Sequence, residues 1–250
     1  MIDLKTDEEI KIMAEGGKKL RKVVEKLLKR IKPGMTTLAI DQEAEKLIEQ
    51  EEGKPSFKTV KGYHWTTCLP VNEQVVHTPP SSRVLKNGDL LTLDIGFYFK
   101  GYHTDYATTF VVGNNTDKKI NYFLEVGKRT LKKAIDQAKV GYRLGDISEV
   151  IEKNIYQAGF FILKDLTGHG IGKQLHEDPY VFNYQERPKE KTLLIKPGLT
   201  IAIEVIYSMG TEEIAYEKDD NWSIISKDKS LTACFEHTVA VTKDGPLVLT

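Results

Sequence analysis

Leu91-Thr92-Leu93-Asp94-Ile95-Gly96-Phe97-Tyr98-Phe99 alternates large apolar residues with small or polar ones, and Lys100-Gly101 follows before a second run from Tyr102 to about Val112. Period-2 alternation of this kind marks a β-strand with one face buried. Lys100-Gly101 suits a two-residue hairpin loop, because glycine accepts the positive φ that such loops require. With that loop, Asp94 falls opposite Ala107 and Asp105 opposite Gly96. Both carboxylates then share one sheet face and lie diagonally adjacent. Acidic residues are disfavoured inside strands, and two on one face suggest a purpose beyond packing.

The same order of residues recurs later in the chain. Lys86-Asn87-Gly88 ahead of Leu91 to Ile95 lines up with Lys196-Pro197-Gly198 ahead of Ile201-Ala202-Ile203-Glu204-Val205. Gly34 and Ile40 match Gly141 and Ile147. Asp94 thus has Glu204 as its counterpart, and Asp105 has Glu236 in Phe235-Glu236-His237-Thr238. Ahead of each hairpin the spacing predicts two helices. The first opens at the capping pattern Thr6-Asp7-Glu8-Glu9 and carries Ile10, Met13, Gly17, Leu20, Val24 and Leu27 inward. The second follows Lys32-Pro33-Gly34, buries Ile40, Ala44, Leu47 and Ile48, and stops at Gly53. In the other half a helix starts near Thr116, and another opens at Asp146-Ile147-Ser148-Glu149 and ends at Gly159. The reading is a single α+β domain spanning 1–250, built from similar halves of about 1–115 and 116–250. Helices cover one face of an antiparallel sheet whose duplicated strands meet in the middle.

Composition narrows the function class. Lys and Arg number 36 and so do Asp and Glu, so no net field draws the chain to nucleic acid or membrane. With 40% apolar and 29% charged residues the chain is an ordinary globular one. Phe160 to Leu163, its longest purely apolar run, is far too short to span a bilayer. Met1-Ile2-Asp3-Leu4-Lys5 is charged too early for a secretory signal, which leads to the expectation of a cytoplasmic protein. Cys68 and Cys234 make neither a disulfide framework nor a C-x-x-C pair.

Asp94, Asp105, Glu204 and Glu236, two from each half, would converge at the pseudo-twofold axis. That many carboxylates cannot all stay ionised in one cavity without cations, and hard oxygen ligands that can bridge suit a pair of divalent metals. His169 lies in Gly168-His169-Gly170-Ile171-Gly172, where small neighbours permit close approach to the imidazole. His176 stands in Leu175-His176-Glu177-Asp178-Pro179, and His77 ends the run Val71 to Val76. Neither has the spacing of a zinc-protease helix. His64, His103 and His237 read as structural.

Together these motifs resemble the type I methionine aminopeptidases, from about residue 4 to residue 248. The match rests on Val71-Asn72-Glu73 with His77, Leu93-Asp94-Ile95, His103-Thr104-Asp105, Gly168 to Gly172 with His176, Ile203-Glu204, and Phe235 to Thr238. The resemblance implies the pita-bread fold, in which helices of two pseudo-symmetric halves pack on a curved antiparallel sheet. It implies two divalent ions (cobalt, manganese, iron(II) or zinc) held by Asp94, Asp105, His169, Glu204 and Glu236, with Asp105 and Glu236 bridging. His77 and His176 would contact the substrate and stabilise the tetrahedral intermediate, Glu204 would shuttle the proton, and Phe57, Tyr63, Cys68 and Trp222 would line the methionine pocket. The implied reaction is hydrolysis of the first peptide bond of nascent proteins and peptides. The expected state is a monomer, and with two ions bound the mildly basic remainder of the chain would not oppose approach to the ribosome surface, without reading any nucleic-acid sequence. Departures from the family pattern fall at Val205 in place of Pro, Thr78-Pro79-Pro80 after His77, Val60 in place of an aromatic, and Leu175 in place of Phe. The alternatives are an Xaa-Pro peptidase on the same fold and a non-catalytic binding protein on the same scaffold. Xaa-Pro peptidases of this fold usually carry a large extra N-terminal domain.

Overall fold

The computed structural model describes residues 2–114, 116–218 and 220–250. Its long helices are α1 (Asp7–Arg30), α2 (Thr37–Gln50), α3 (Lys118–Ile135) and α4 (Leu144–Gln157). The principal strands are β1 (Leu90–Phe99), β2 (Tyr102–Val111), β3 (Thr167–Gly170), β4 (Glu177–Phe182), β5 (Thr200–Ser208), β6 (Thr232–Thr242) and β7 (Gly245–Val248). They form an antiparallel sheet in the order β1-β2-β6-β5-β3-β4, with β7 on β6. A smaller sheet of Ile214–Tyr216, Ile224–Ser226 and Gln74–Val76 lies off this path.

The hairpin that decides the fold has the expected register. Asp94 pairs with Ala107 and Gly96 with Asp105, and Phe99 and Tyr102 close on Lys100 (φ 48°) and Gly101 (φ 92°). Leu91, Leu93, Ile95, Phe97 and Phe99 point to the helix face and pack with Leu20, Val24, Leu27, Ile40, Leu47 and Ile48 of α1 and α2. In the second half Ile201, Ile203, Val205 and Tyr207 do the same against Phe123, Leu131, Ile147 and Ile151 of α3 and α4. Full burial of each such side chain stabilises the fold by about 1.5–3 kcal/mol, and strand parity turns every intervening residue to the opposite face.

The repeat is visible in the backbone. Gly34 and Gly141 have φ 90° and 86°, and Gly88 and Gly198 have φ 92° and 89°. Isolated bridges join Thr36 to Val84 and, at the matching place, Arg143 to Leu194. The halves meet where β2 pairs with β6 through Ala107·Glu236 and Tyr106·His237.

Helix ends differ from expectation in two places. α1 has its Thr6–Glu9 box, with Glu9 N–H donating to Thr6 Oγ1 at 3.2 Å and Thr6 N–H to Glu9 Oε2 at 2.8 Å. α4, however, begins at Leu144, and Asp146 is its third residue, accepting from the Arg143 N–H at 2.8 Å. α3 begins at Lys118, close to the expected start near Thr116, with the Asp117 carboxylate capping it by accepting from Lys119 N–H at 2.7 Å. α2 ends at Gln50, and Glu52 (φ 62°) takes the left-handed position. Gly53 serves packing instead, because a Cβ there would lie 2.1 Å from the Phe97 ring.

Candidate active site

On the sheet face away from the helices, register places Asp94, Ala107, Glu236 and Glu204 in one row across β1, β2, β6 and β5. Asp105 is two residues from Ala107 on β2, and His169 pairs with Ala202, two residues from Glu204. Even spacing puts all five candidate ligands on that face. Ligand atoms of Asp105, His169 and Glu236 lie within 4.8 Å of one another, and His169 Nε2 is 3.5 Å from Glu204 Oε1.

Local features hold these groups. Thr238 Oγ1 accepts from the Asp105 N–H at 2.8 Å and donates to the Asp105 carbonyl at 2.9 Å, so one hydroxyl staples β2 to β6 behind the carboxylate. Thr109 does the same for Cys234, at 2.9 and 3.0 Å. Gly168 and Gly170 allow the strands to close up, since a Cβ would lie 2.3 Å from the Ala202 carbonyl oxygen or 2.2 Å from that of Asp178. The His169 Nδ1 lies 2.8 Å from the Gly170 carbonyl and donates its proton there, which leaves the Nε2 lone pair directed at the acidic cluster.

The electrostatics are those of a cation site. Asp105 and Glu236 are 4% and 3% exposed, and Asp94 Oδ1 and Glu236 Oε1 are buried with no hydrogen-bond partner among the described residues. Burial first, and then repulsion by Asp105, holds Asp94, Glu204 and Glu236 well above the usual carboxylate range. Burial raises Asp105 to about 7. Burial likewise lowers His169 to about 3, with the neighbouring His176 adding to the effect, so its imidazole is neutral and able to bind a metal. Orphaned carboxylate oxygens beside a neutral imidazole, with no lysine or arginine lining the cavity among the described residues, fit divalent ions.

A cavity of about 150 Å³ brings every sequence-derived site residue together. Asp94, Asp105, His169, Glu204 and Glu236 line it together with Phe57, Tyr63, Cys68 and Trp222, Cys68 pairing with Asp94 across the strands, and His77 and His176 also border it. Tyr63 organises the apolar end. Its ring meets Trp222 edge-on at 5.1 Å and Phe57 at 6.3 Å, while its hydroxyl donates to the Thr67 carbonyl at 2.8 Å and lies 3.1 Å from Cys68 Sγ. Burial keeps both the phenol and the thiol protonated, so this end is neutral. Val60, Leu175 and Val76 complete it. Val76 was not foreseen as a wall residue; its signal was its place directly before His77.

His77 has φ 59°, in the left-handed region, and its ring is open to solvent although protein atoms crowd around it. That crowding and nearby His176 lower its pKa. His176 is also exposed and meets the His169 ring edge-on at 4.5 Å. His103 is buried with Nδ1 2.9 Å from Ser56 Oγ, His237 lies 3.2 Å from Thr250 Oγ1, and His64 is exposed beside Trp65. None of these three lines the cavity. Thr238, which closes the Phe235–Thr238 motif, is given no role by the sequence reading; its even spacing from Glu236 was the available signal for its place beside Asp105.

Comparison with known proteins agrees with this geometry. Residues 11–243 match the model of metallopeptidase family M24. The chain is 41% identical to methionine aminopeptidase 1 of Bacillus subtilis, covering 100% of this chain and 99% of that protein. It is 38% identical to a methionine aminopeptidase of Mycoplasma capricolum, covering 100% and 98%. The crystal structure of a Thermotoga maritima methionine aminopeptidase superposes with a TM-score of 0.95 at 36% identity, over 100% of this chain and 99% of that one. With this fold, this carboxylate row and relatives matched from end to end, the chain belongs to the methionine aminopeptidases of metallopeptidase family M24.

Proposed function

We propose that this protein removes the N-terminal methionine from peptides and nascent proteins by hydrolysing the first peptide bond with the help of two divalent ions. One observation carries the reading: a single cavity joins a carboxylate–imidazole cluster to a neutral aromatic slot. Asp94, Asp105, His169, Glu204 and Glu236 are the residues that would hold the ions, with Asp105 and Glu236 shared between them. Bound ions would supply Lewis-acid activation of the peptide carbonyl and of the attacking water.

The remaining work falls to side chains. Phe57, Tyr63, Cys68 and Trp222 receive the unbranched thioether, which an apolar, partly aromatic slot accommodates well. His77 and His176, whose pKa values are lowered, are neutral near pH 7 and offer hydrogen bonds to the carbonyl as its charge develops. Glu204, which lines the cavity beside His169, would accept a proton from the nucleophile and pass it to the leaving amine. The free amine of the substrate would be a further ligand for the bound ions, which would restrict cleavage to the first residue. The same reading makes residues 1–250 one catalytic domain, monomeric and cytoplasmic, with nascent chains as substrates and the ribosome surface as a transient partner.

The test is hydrolysis of Met-Gly-type and Xaa-Pro peptides with added cobalt(II), manganese(II), iron(II) or zinc(II), together with metal analysis of protein purified without chelators. Release of free methionine from the first peptides alone supports the proposal. Cleavage only before proline overturns it in favour of the Xaa-Pro alternative.

A further inference from the structure

The turn 171–176 between β3 and β4 carries two cavity residues, Leu175 and His176. His176 is exposed, its ring meeting that of His169 edge-on at 4.5 Å, and the backbone beneath it sets where that ring can reach. That backbone is gripped from the far end of the chain. Lys5, in the segment before α1, is only 4% exposed, and its ammonium pairs with Glu177 Oε2. The other oxygen of Glu177 accepts from the Gln174 N–H at 3.0 Å. One carboxylate therefore ties the turn, immediately beside His176, to Lys5.

Lys5 is itself fixed. Its N–H donates to the Gly198 carbonyl at 2.7 Å and its ammonium to the Asp3 carbonyl at 2.9 Å. It runs across two glycines, since a Cβ on Gly172 would lie 2.2 Å from Lys5 Cε and one on Gly198 would lie 2.6 Å from the Lys5 carbonyl oxygen. Gly172, the last glycine of the His169 motif, is thus matched to the lysine rather than to the imidazole. Lys173 reaches Asp3 at 3.3 Å and Glu9 at 3.2 Å, but these ion pairs lie largely in solvent and contribute little. The buried pair differs, because a desolvated charge that loses its partner is strongly unfavourable and its neighbourhood must rearrange.

We infer that the Lys5–Glu177 ion pair is a positioning device for His176: the N-terminal segment completes the active site by fixing the turn 171–176. Lys5 acts through His176 and touches no substrate. The inference rests on the proposed role of His176 in the aminopeptidase reaction.

Steady-state kinetics on a Met-Gly peptide, with metal content and thermal unfolding, test it in the full chain. Lys5→Met is compared in two backgrounds, wild type and His176→Ala. In the wild type it is expected to lower kcat by roughly 10- to 100-fold, with KM and metal content little changed, as misplacement of a supporting group does. In the His176→Ala background the same substitution is expected to add less than about a twofold loss. Lys5→Arg, which keeps the charge, is expected to restore most of kcat. Equal losses in the two backgrounds, or loss of metal in Lys5→Met, overturn the inference. So does a His176→Ala variant with normal turnover. Should Lys5→Met fail to fold, Glu177→Gln carries the same comparison in both backgrounds. A wild-type protein that releases no methionine would instead sink the functional reading itself.

Discussion

Glu204 and Glu236 are direct register partners across the β5–β6 ladder, two acidic side chains facing each other on one sheet face. Like charges so placed weaken a sheet, and among the described residues no lysine or arginine lines their cavity to relieve them. The row continues through Ala107 to Asp94, with Asp105 beside it, so the pseudo-twofold that builds the fold also concentrates its negative charge.

That concentration makes the metal-free protein sensitive to pH. Asp105 is raised to about 7, and Asp94, Glu204 and Glu236 are raised well above their usual values. Unfolded carboxylates titrate near 4, so from roughly pH 4 to 7 the folded chain binds more protons than the unfolded one. Its stability from this cluster therefore falls as pH rises through that window, opposite in sign to an ordinary paired carboxylate. Metal bound at the proposed site would replace those protons. The gain in Tm on adding manganese to chelator-treated protein should grow between about pH 5.5 and pH 8; a gain that shrinks over this range would contradict the assignment.

Asp105→Ala is expected to abolish activity at every metal concentration, because in the proposed site a shared ligand would serve both ions. Near-normal rates would count against the bridge. Asp105→Asn sharpens the point: metal-free at pH 8, it should melt several degrees above the metal-free wild type, since each ~1 kcal/mol of relieved repulsion is about 2–4 °C in a chain of this size.

For His77→Ala a fall in kcat of about a hundredfold is expected, in keeping with loss of one positioned hydrogen-bonding group, while metal content stays at the wild-type level. Metal analysis decides this, and loss of metal would move His77 from substrate contact to ligand support.

Trp222→Ala opens the wall against which Tyr63 packs. The expected loss is roughly 1–3 kcal/mol in kcat/KM for methionyl substrates, expressed mainly in KM, with metal binding retained. Unchanged kinetics would remove Trp222 from the pocket.

Gly168→Ala places a Cβ 2.3 Å from the Ala202 carbonyl and must part β3 from β5 where His169 is anchored. Both metal affinity and Tm should drop, and calorimetry showing wild-type values for each would refute the close-approach explanation.

Much of the fold was legible because strand parity is local. A two-residue loop at Lys100-Gly101 is enough to put Asp94 against Ala107, and Thr6 with Glu9 is enough to start α1. Where local signals misled, they were generic ones. Asp146 has the composition of a helix start, yet the bridge Arg143·Leu194, repeating Thr36·Val84, sets that start at Leu144. Gly53 has the composition of a helix stop, yet it answers to the Phe97 ring from another element.

Which residues carry carboxylates and imidazoles, and which side of a strand each occupies, the sequence determined by itself, since alternation and repeat depend only on neighbours along the chain. The seam between β2 and β6, the meeting of Tyr63 with Trp222, and the reach of Lys5 to Glu177 belong to the tertiary structure. These contacts join distant segments whose closure is favoured only when both halves have already packed, and no spacing along the chain encodes that.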